Sequence, residues 1–219
     1  VSDLNAPQHL LDALHEVIPN SGLLRQTLPD TALDLWLIPP DLPTERMDDE
    51  VIRRIWQETP YWIFCWASGL AMAQWLLAEP ELVRGKTVLD FGAGSGVVAI
   101  AAKMAGAARV IACDIDQVSL ASCRENALLN GVELEYLDDL YALDGQVDVL
   151  LAADVLYDQS NRFFLDEFLR FGHAVWVADS RVKNFSHPRY IKESERSAST
   201  WPDLDEAHEF RNVSFYRTL

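Results

Sequence analysis

Four segments of this chain, 87–91, 109–113, 147–153 and 174–178, are almost continuously apolar, as expected of strands covered on both faces. Segments of mixed polarity and helical length separate them, so from Thr87 onward strands and helices alternate. That alternation predicts βαβ units and a parallel sheet. Residues 132–136, Val-Glu-Leu-Glu-Tyr, alternate apolar with acidic and predict an edge strand with one wet face. Ahead of the sheet, the spacing predicts an amphipathic helix near 7–18, a strand over 33–38 and a turn at Pro39, Pro40 and Pro43. It predicts further helices near 48–57 and from 67 to about 78. The run Asp48-Asp49-Glu50 suits the start of the former, where carboxylates complement the helix dipole. Asp116 is placed to cap a helix beginning near Val118, Asn130-Gly131 to end it, and Gly106 to end the helix before it. The chain shows no internal repeat and no low-complexity tract.

The 219 residues suit one α/β domain, 61–219, with an extension over 1–60 of helices and a short strand packed on it. Half the residues are hydrophobic and a quarter charged, an ordinary globular composition. The net charge of −16 stands out. Such a surface repels phosphate backbones, so no nucleic-acid partner is expected, while a basic protein or an amine would be attracted. The same charge also serves solubility. Cys65, Cys113 and Cys123 show no Cys-x-x-Cys spacing and point to a reducing compartment and a cytoplasmic location. No basic region precedes an apolar stretch at the start, so no signal peptide is expected. Residues 59–78 carry no charge over nearly the length of a membrane helix. Glu58 and Glu79 bound them, Pro60, Ser68, Gly69 and Gln74 interrupt them, and flanking Lys or Arg is missing, which predicts a buried aromatic segment entering a helix and no membrane partner. In the polar C-terminal 40 residues, Arg181, Lys183, Arg189, Lys192 and Arg196 form either a solvated face or one wall of a substrate cleft.

The chemistry concentrates at residues 86–100, Lys-Thr-Val-Leu-Asp-Phe-Gly-Ala-Gly-Ser-Gly-Val-Val-Ala-Ile, which read as a buried strand, a glycine turn and a helix start. Gly92, Gly94 and Gly96 permit backbone shapes and close ligand approach that a β-carbon obstructs, and a helix N-terminus offers amide donors. The spacing is Gly-x-Gly-x-Gly, with Val97 where the dinucleotide fingerprint needs its third glycine. This argues against NAD or FAD. Asp90, just before the turn, suits a ligand carrying an amino-acid ammonium, such as S-adenosylmethionine. In open α/β sheets ligands bind outside the carboxyl ends of the strands. Asp114 ends the second strand, where a carboxylate accepts from ribose hydroxyls; one of Asp138 and Asp139, after the edge strand, is placed to accept from an adenine amino group. Asp154 and Tyr157 follow the fourth strand, where an acceptor would meet the cofactor; the plainer alternative is that Asp154 only caps the next turn. His9, His15, His173, His187 and His208 show no metal-ligand spacing, so no metal is expected, and the serine of Gly94-Ser95-Gly96 belongs to the turn rather than to a hydrolase elbow.

Residues 88–100, Ala112-Cys113-Asp114 and Asp154-Val155-Leu156-Tyr157 together resemble the seven-strand (class I) S-adenosylmethionine-dependent methyltransferase superfamily, over about residues 60–180. Pro60-Tyr61-Trp62 with Trp66, Arg84-Gly85-Lys86 and Asp154-x-x-Tyr157 are similar to its lysine methyltransferases with an Asp/Glu-x-x-Tyr/Phe motif, among them the electron transfer flavoprotein β-subunit lysine methyltransferase subfamily. Asp179-Ser180-Arg181 resembles, more loosely, a short Asp-x-x-Arg or Asp-x-Arg element of that group. The resemblance implies an α/β, Rossmann-like seven-strand sheet, mostly parallel, with helices on both faces. It implies S-adenosylmethionine as cofactor and methyl transfer to a lysine of a protein substrate. Asp90, Gly92 and Gly94, with Gly96 closing the turn, would surround the methionine moiety, and Asp114 would hold the ribose. Trp62 or Trp66 would flank the cofactor, and Asp154 and Tyr157 would frame the target nitrogen. The chain lacks the Asn-Pro-Pro-Tyr element of base-amine methylases and a nucleophilic cysteine at the fourth strand. A small amine or a pyridine nitrogen, as in nicotinamide N-methyltransferase, is the alternative acceptor, and a non-catalytic binding module the remaining one. Residues beyond Arg181 depart from the pattern.

Overall fold

The computed structural model describes residues 3, 5–40, 59–157, 159–182 and 186–219. The helix expected near 48–57, Pro43 of the expected turn, and Lys183 lie outside them. The main sheet is built from β3 (Thr87–Phe91), β4 (Arg109–Cys113), β5 (Glu135–Leu137), β6 (Val147–Ala153), β7 (Gly172–Asp179), β8 (Tyr190–Ser197) and β9 (Asn212–Thr218). Their order is β5-β4-β3-β6-β7-β9-β8. The first five run parallel, while β9 lies antiparallel to both β7 and β8. Asp90 pairs with Ala112 on one side and Leu151 on the other, so the strand before the glycine turn occupies the middle of the sheet.

Helices cover both faces. On one lie α2 (Ala67–Ala78), α3 (Val97–Met104) and part of α4 (Gln117–Leu129), packed on Val88, Val110, Ala112, Val149, Leu151 and Phe215. On the other, α5 (Phe164–Phe171) presents Leu165, Phe168 and Phe171 to Leu89, Ile111, Leu150, Val175 and Val177. α2 is buried nearly all round, which is why residues 67–78 carry no charge: a helix with no wet face has no use for one. Among the described residues no helix is long and apolar enough to cross a membrane.

At the N-terminus, α1 (Gln8–Val17) and a hairpin of β1 (Leu24–Thr27) and β2 (Asp34–Leu37) lie against α4. Two asparagines of α4 make the join. The Asn126 side-chain carbonyl accepts from Trp36 N at 2.7 Å, and Asn130 accepts from Asp34 N at 3.0 Å while donating to Asp34 O at 2.6 Å. These groups stand in for a third strand along β2. Asn126 also donates to Ser95 O at 2.9 Å, tying the extension to the glycine turn.

The edge strand forms, but over Glu135–Leu137 rather than 132–136. Val132 N instead closes the helix-ending turn onto Ala127 O, and Val132 and Leu134 pack on the first core, so the alternation marked a connection that dips inward before the strand starts. β1, β8 and β9 lie where the apolar pattern predicted no strand. β8 is mostly wet, with the register broken between Lys192 and Ser194, and gives no continuous apolar run to read.

Candidate active site

Four carboxylates sit at the carboxyl ends of four adjacent strands: Asp90 in β3, Asp114 after β4, Asp154 after β6 and Asp179 ending β7. The turn 92–96 folds over Asp90. Gly92 N and Ala93 N both donate to Cys113 O, and Gly94 N donates to Asp114 Oδ2 at 2.8 Å, so the end of β4 shapes the turn. Gly96 has φ +82°, and a β-carbon on it would lie 2.4 Å from Cys123 Sγ, so close packing on α4 requires glycine there. A β-carbon on Gly94 would meet nothing nearer than Gly92 O at 4.0 Å: this residue faces open space. Val97, whose branch argued against a dinucleotide turn, packs against Gly69 of α2.

Asp90 is buried and its Oδ2 accepts from Ala99 N at 3.0 Å, inside the first turn of α3. Burial pushes its carboxyl up to about 8 despite that bond, and the nearby Asp114 charge pushes the same way. Asp114 accepts from Gly94 N and Asp116 N, yet burial still raises its pKa. Next to it in the chain, Ile115 is 90% exposed, a large apolar side chain beside a carboxylate. Asp139 spends Oδ1 on Tyr141 N at 2.9 Å, capping a short turn, whereas Asp138 accepts only from the exposed Gln117 amide among the bonds described, at 3.2 Å.

Asp154 has φ +52°. Its carboxylate accepts from Ser68 N (2.8 Å), Ser68 Oγ (2.5 Å), Ser180 Oγ (3.0 Å) and Ser180 N (3.4 Å). It caps a helix start, that of α2 rather than the next turn of chain. Burial raises its pKa, and those four bonds pull against the rise. Asp179, pushed up to about 6 by burial and then by the Asp154 charge, accepts from Arg181 N and Val182 N. A cavity of about 630 Å³ opens beside Asp179 and Ser180 along β8 and β9, with Glu195 and Glu209 in its wall.

Around Asp154 the aromatic residues divide. Trp62 is 3% exposed and packs with Leu10, Leu14 and Ile63 under the N-terminal extension. Trp66 reaches the site end of α2, its ring centroid 5.8 Å from Tyr61, and Tyr61 lies 5.6 Å from Tyr157. The structure therefore groups Asp90, Gly92, Gly94, Gly96 and Asp114 at the turn and Asp154, Tyr157 and Trp66 beside it, and sets Trp62 in the core. Sequence reasoning did not assign roles to Ser68, Ser180, Tyr61 and Ile115. Ser68 left a signal as one of the few polar residues in the uncharged stretch.

Residues 74–162 match the family model described as ribosomal protein L11 methyltransferase (PrmA). The electron transfer flavoprotein beta subunit lysine methyltransferase of Mus musculus is 40% identical over 126 residues, 56% of this chain and 49% of that protein. The ribosomal protein L11 methyltransferase of Symbiobacterium thermophilum is 39% identical over 100 residues, 41% of this chain and 32% of that one. The chain spans about half the length of the curated electron transfer flavoprotein relatives it matches. Among solved structures, a Thermus thermophilus ribosomal RNA methyltransferase in complex with AdoMet and guanosine superposes with a TM-score of 0.54 at 14% identity, over 90% of this chain and 50% of that one. That likeness gives the fold alone.

Proposed function

From a chain that is related to the ribosomal protein L11 and electron transfer flavoprotein β-subunit lysine methyltransferases and has the class I methyltransferase fold, we propose an S-adenosylmethionine-dependent methyltransferase acting on a protein lysine. The observation that carries this reading is the row of carboxylates at adjacent strand ends around a glycine turn open at Gly94. Asp114 would take the ribose hydroxyls with lone pairs not used on Gly94 N and Asp116 N. Ile115 would lie against the adenine, and Asp138, freer than Asp139, would accept from its amino group. Asp90 and the turn would hold the methionine end, and Trp66 rather than the buried Trp62 would flank it. Bound there, the cofactor supplies a methyl group on a positively charged sulfur.

The remaining work belongs to the chain. The two serines fix the Asp154 carboxylate so that it meets an incoming amine in one orientation, and positioning of this kind is the main catalytic contribution in an in-line displacement. The amine must lose its proton before it can attack. Lysine titrates near ~10.4 in water, and desolvation beside a second cation favours the neutral form. Tyr61 and Tyr157 are 41% and 49% exposed, so the acceptor end opens to the surface, and an open acidic approach suits a side chain offered by a protein. The relatives are named for electron transfer flavoprotein β subunit and ribosomal protein L11; a lysine on a protein of either kind is the acceptor we put forward. The buried free cysteines belong with a reducing, cytoplasmic setting.

The test is methyl-labelled S-adenosylmethionine added with the purified protein to an extract from cells lacking it, followed by hydrolysis of the protein fraction. Label recovered as Nε-methylated lysine is the expected result. Label confined to the small-molecule fraction would transfer the reading to a free amine or pyridine, and no label above the Asp114→Ala control would remove it.

A further inference from the structure

We propose that Arg181 is a positioning residue for Asp154: its side chain braces the end of β7 against the start of α2 and so sets the spacing of the two serines that hold the Asp154 carboxylate. The inference deepens the reading above and rests on it, because it takes Asp154 as the group that meets the acceptor amine. Ser68 Oγ and Ser180 Oγ both donate to Asp154 Oδ1, at 2.5 and 3.0 Å. One serine opens α2 and the other follows β7, so the carboxylate keeps one orientation only while those elements keep their spacing. Arg181 spans that gap. It follows Ser180 directly, and its guanidinium lies 5.7 Å from the ring centroid of Trp66, the residue that caps α2 two positions before Ser68. The contacts close a ring: Asp154 to Ser68, along the chain to Trp66, across to Arg181, and back through Ser180.

The connection between β8 and β9, residues 198–211, holds Arg181 in that place. Next to Trp66, Cys65 and Trp201 exchange two backbone hydrogen bonds, Cys65 N to Trp201 O at 2.8 Å and Trp201 N to Cys65 O at 2.7 Å. The preceding residue, the buried Thr200, donates from Oγ1 to one Glu206 oxygen at 2.6 Å, and the other Glu206 oxygen accepts from the Arg181 guanidinium. Phe210 lies against the same guanidinium, 4.4 Å from its ring centroid. At the other end of the residue, Arg181 N donates to Asp179 Oδ1 at 2.8 Å. A planar guanidinium can face rings while donating in its own plane, which an ammonium cannot do. A pair this far withdrawn from water adds little net stability, because desolvation offsets attraction, and the best-attested use of such pairs is to fix register. The register fixed here is that of Ser68 against Ser180.

The experiment joins amide exchange, followed by NMR on the 15N-labelled full chain, to a double-mutant cycle. In Arg181→Met the amides of Ser68 and Ser180, both donated to Asp154, should exchange about tenfold faster, while that of Ala99, donated to Asp90, should change by less than about twofold. Transfer of labelled methyl from saturating S-adenosylmethionine to lysine in extract protein should fall about tenfold, with S-adenosylhomocysteine affinity within about threefold. In an Asp154→Asn background the same substitution should cost less than about twofold, because its effect passes through that carboxylate. Arg181→Lys, which keeps the charge without the plane, should stay closer to Arg181→Met than to the unaltered chain. Glu206→Ala, which removes the anchor of Arg181, should reproduce both effects and supplies the same cycle if Arg181→Met does not fold. Unchanged serine exchange, or losses that simply add to those of Asp154→Asn, would overturn the proposal. Titrating S-adenosylhomocysteine into the unaltered chain separates the two claims: its failure to bind removes the methyltransferase reading, whereas binding together with unchanged serine exchange in the variants removes the brace alone.

Discussion

In the proposed site, the Asp90 carboxyl would link cofactor binding to pH. Burial raises it to about 8, so near neutrality the site without ligand holds it protonated. In the proposed complex a ligand ammonium favours the ionised form, so binding releases a proton and affinity strengthens as pH rises toward 8, by at most about tenfold per unit. Calorimetry in buffers of different ionisation enthalpy should detect that release, and Asp90→Asn should abolish it. Stability runs the other way. Because the folded-state pKa lies above the unfolded value, this group contributes stability at acid pH that is lost as pH rises from about 4 toward 8. Asp154 separates structure from chemistry. Asp154→Ala leaves Ser68 N at the start of α2 without its partner, at a cost of about 1–2 kcal/mol. Asp154→Asn keeps one acceptor oxygen and the shape, and should lower turnover by about a hundredfold with S-adenosylmethionine affinity within about threefold. An equal loss of cofactor affinity would show that Asp154 belongs to the cofactor site.

Among the elements, the glycine turn makes the sharpest contrast. Gly96→Ala drives a β-carbon into Cys123 at a left-handed φ and should destabilise the chain by about 3 kcal/mol. Gly94→Ala has left-handed strain but no packing clash and should melt much closer to the unaltered chain while losing ligand affinity. Thermal melts with S-adenosylhomocysteine titrations on both variants distinguish the roles. Asn126 couples two elements: Asn126→Leu leaves Trp36 N and Ser95 O without their partner and should cost about 2–4 kcal/mol. The strands carrying the site were legible because each is buried on both faces: the segments read as 87–91, 109–113 and 147–153 are β3, β4 and β6. The short, wet β1 and β8 have no such run. Ser68 and Ser180 were not legible as partners of Asp154, since 86 and 26 residues separate them and only the folded sheet brings them together. Trp62 and Trp66 looked interchangeable because a tryptophan's burial depends on which way a short turn faces.

In the molecule as a whole, the net charge of −16 acts at long range, while the four strand-end carboxylates act locally on whatever enters the cleft. A basic protein acceptor should associate faster at low ionic strength, and its kcat/KM should fall as salt rises through ~0.15 M, where the screening length is about 8 Å. Cofactor affinity, set in a confined site, should change far less. The β1–β2 hairpin reaches the turn through Asn126, so we propose that the described residues 5–40 support the cofactor end rather than forming an independent unit.

The most direct test of the central claim, that the strand-end carboxylates and the open glycine turn bind S-adenosylmethionine, is calorimetric titration of the chain with that ligand and with S-adenosylhomocysteine, beside Asp114→Ala. Saturable one-to-one binding that is lost in Asp114→Ala is the predicted result. A folded chain that binds neither ligand, or an Asp114→Ala variant that binds as well as the unaltered one, would contradict it.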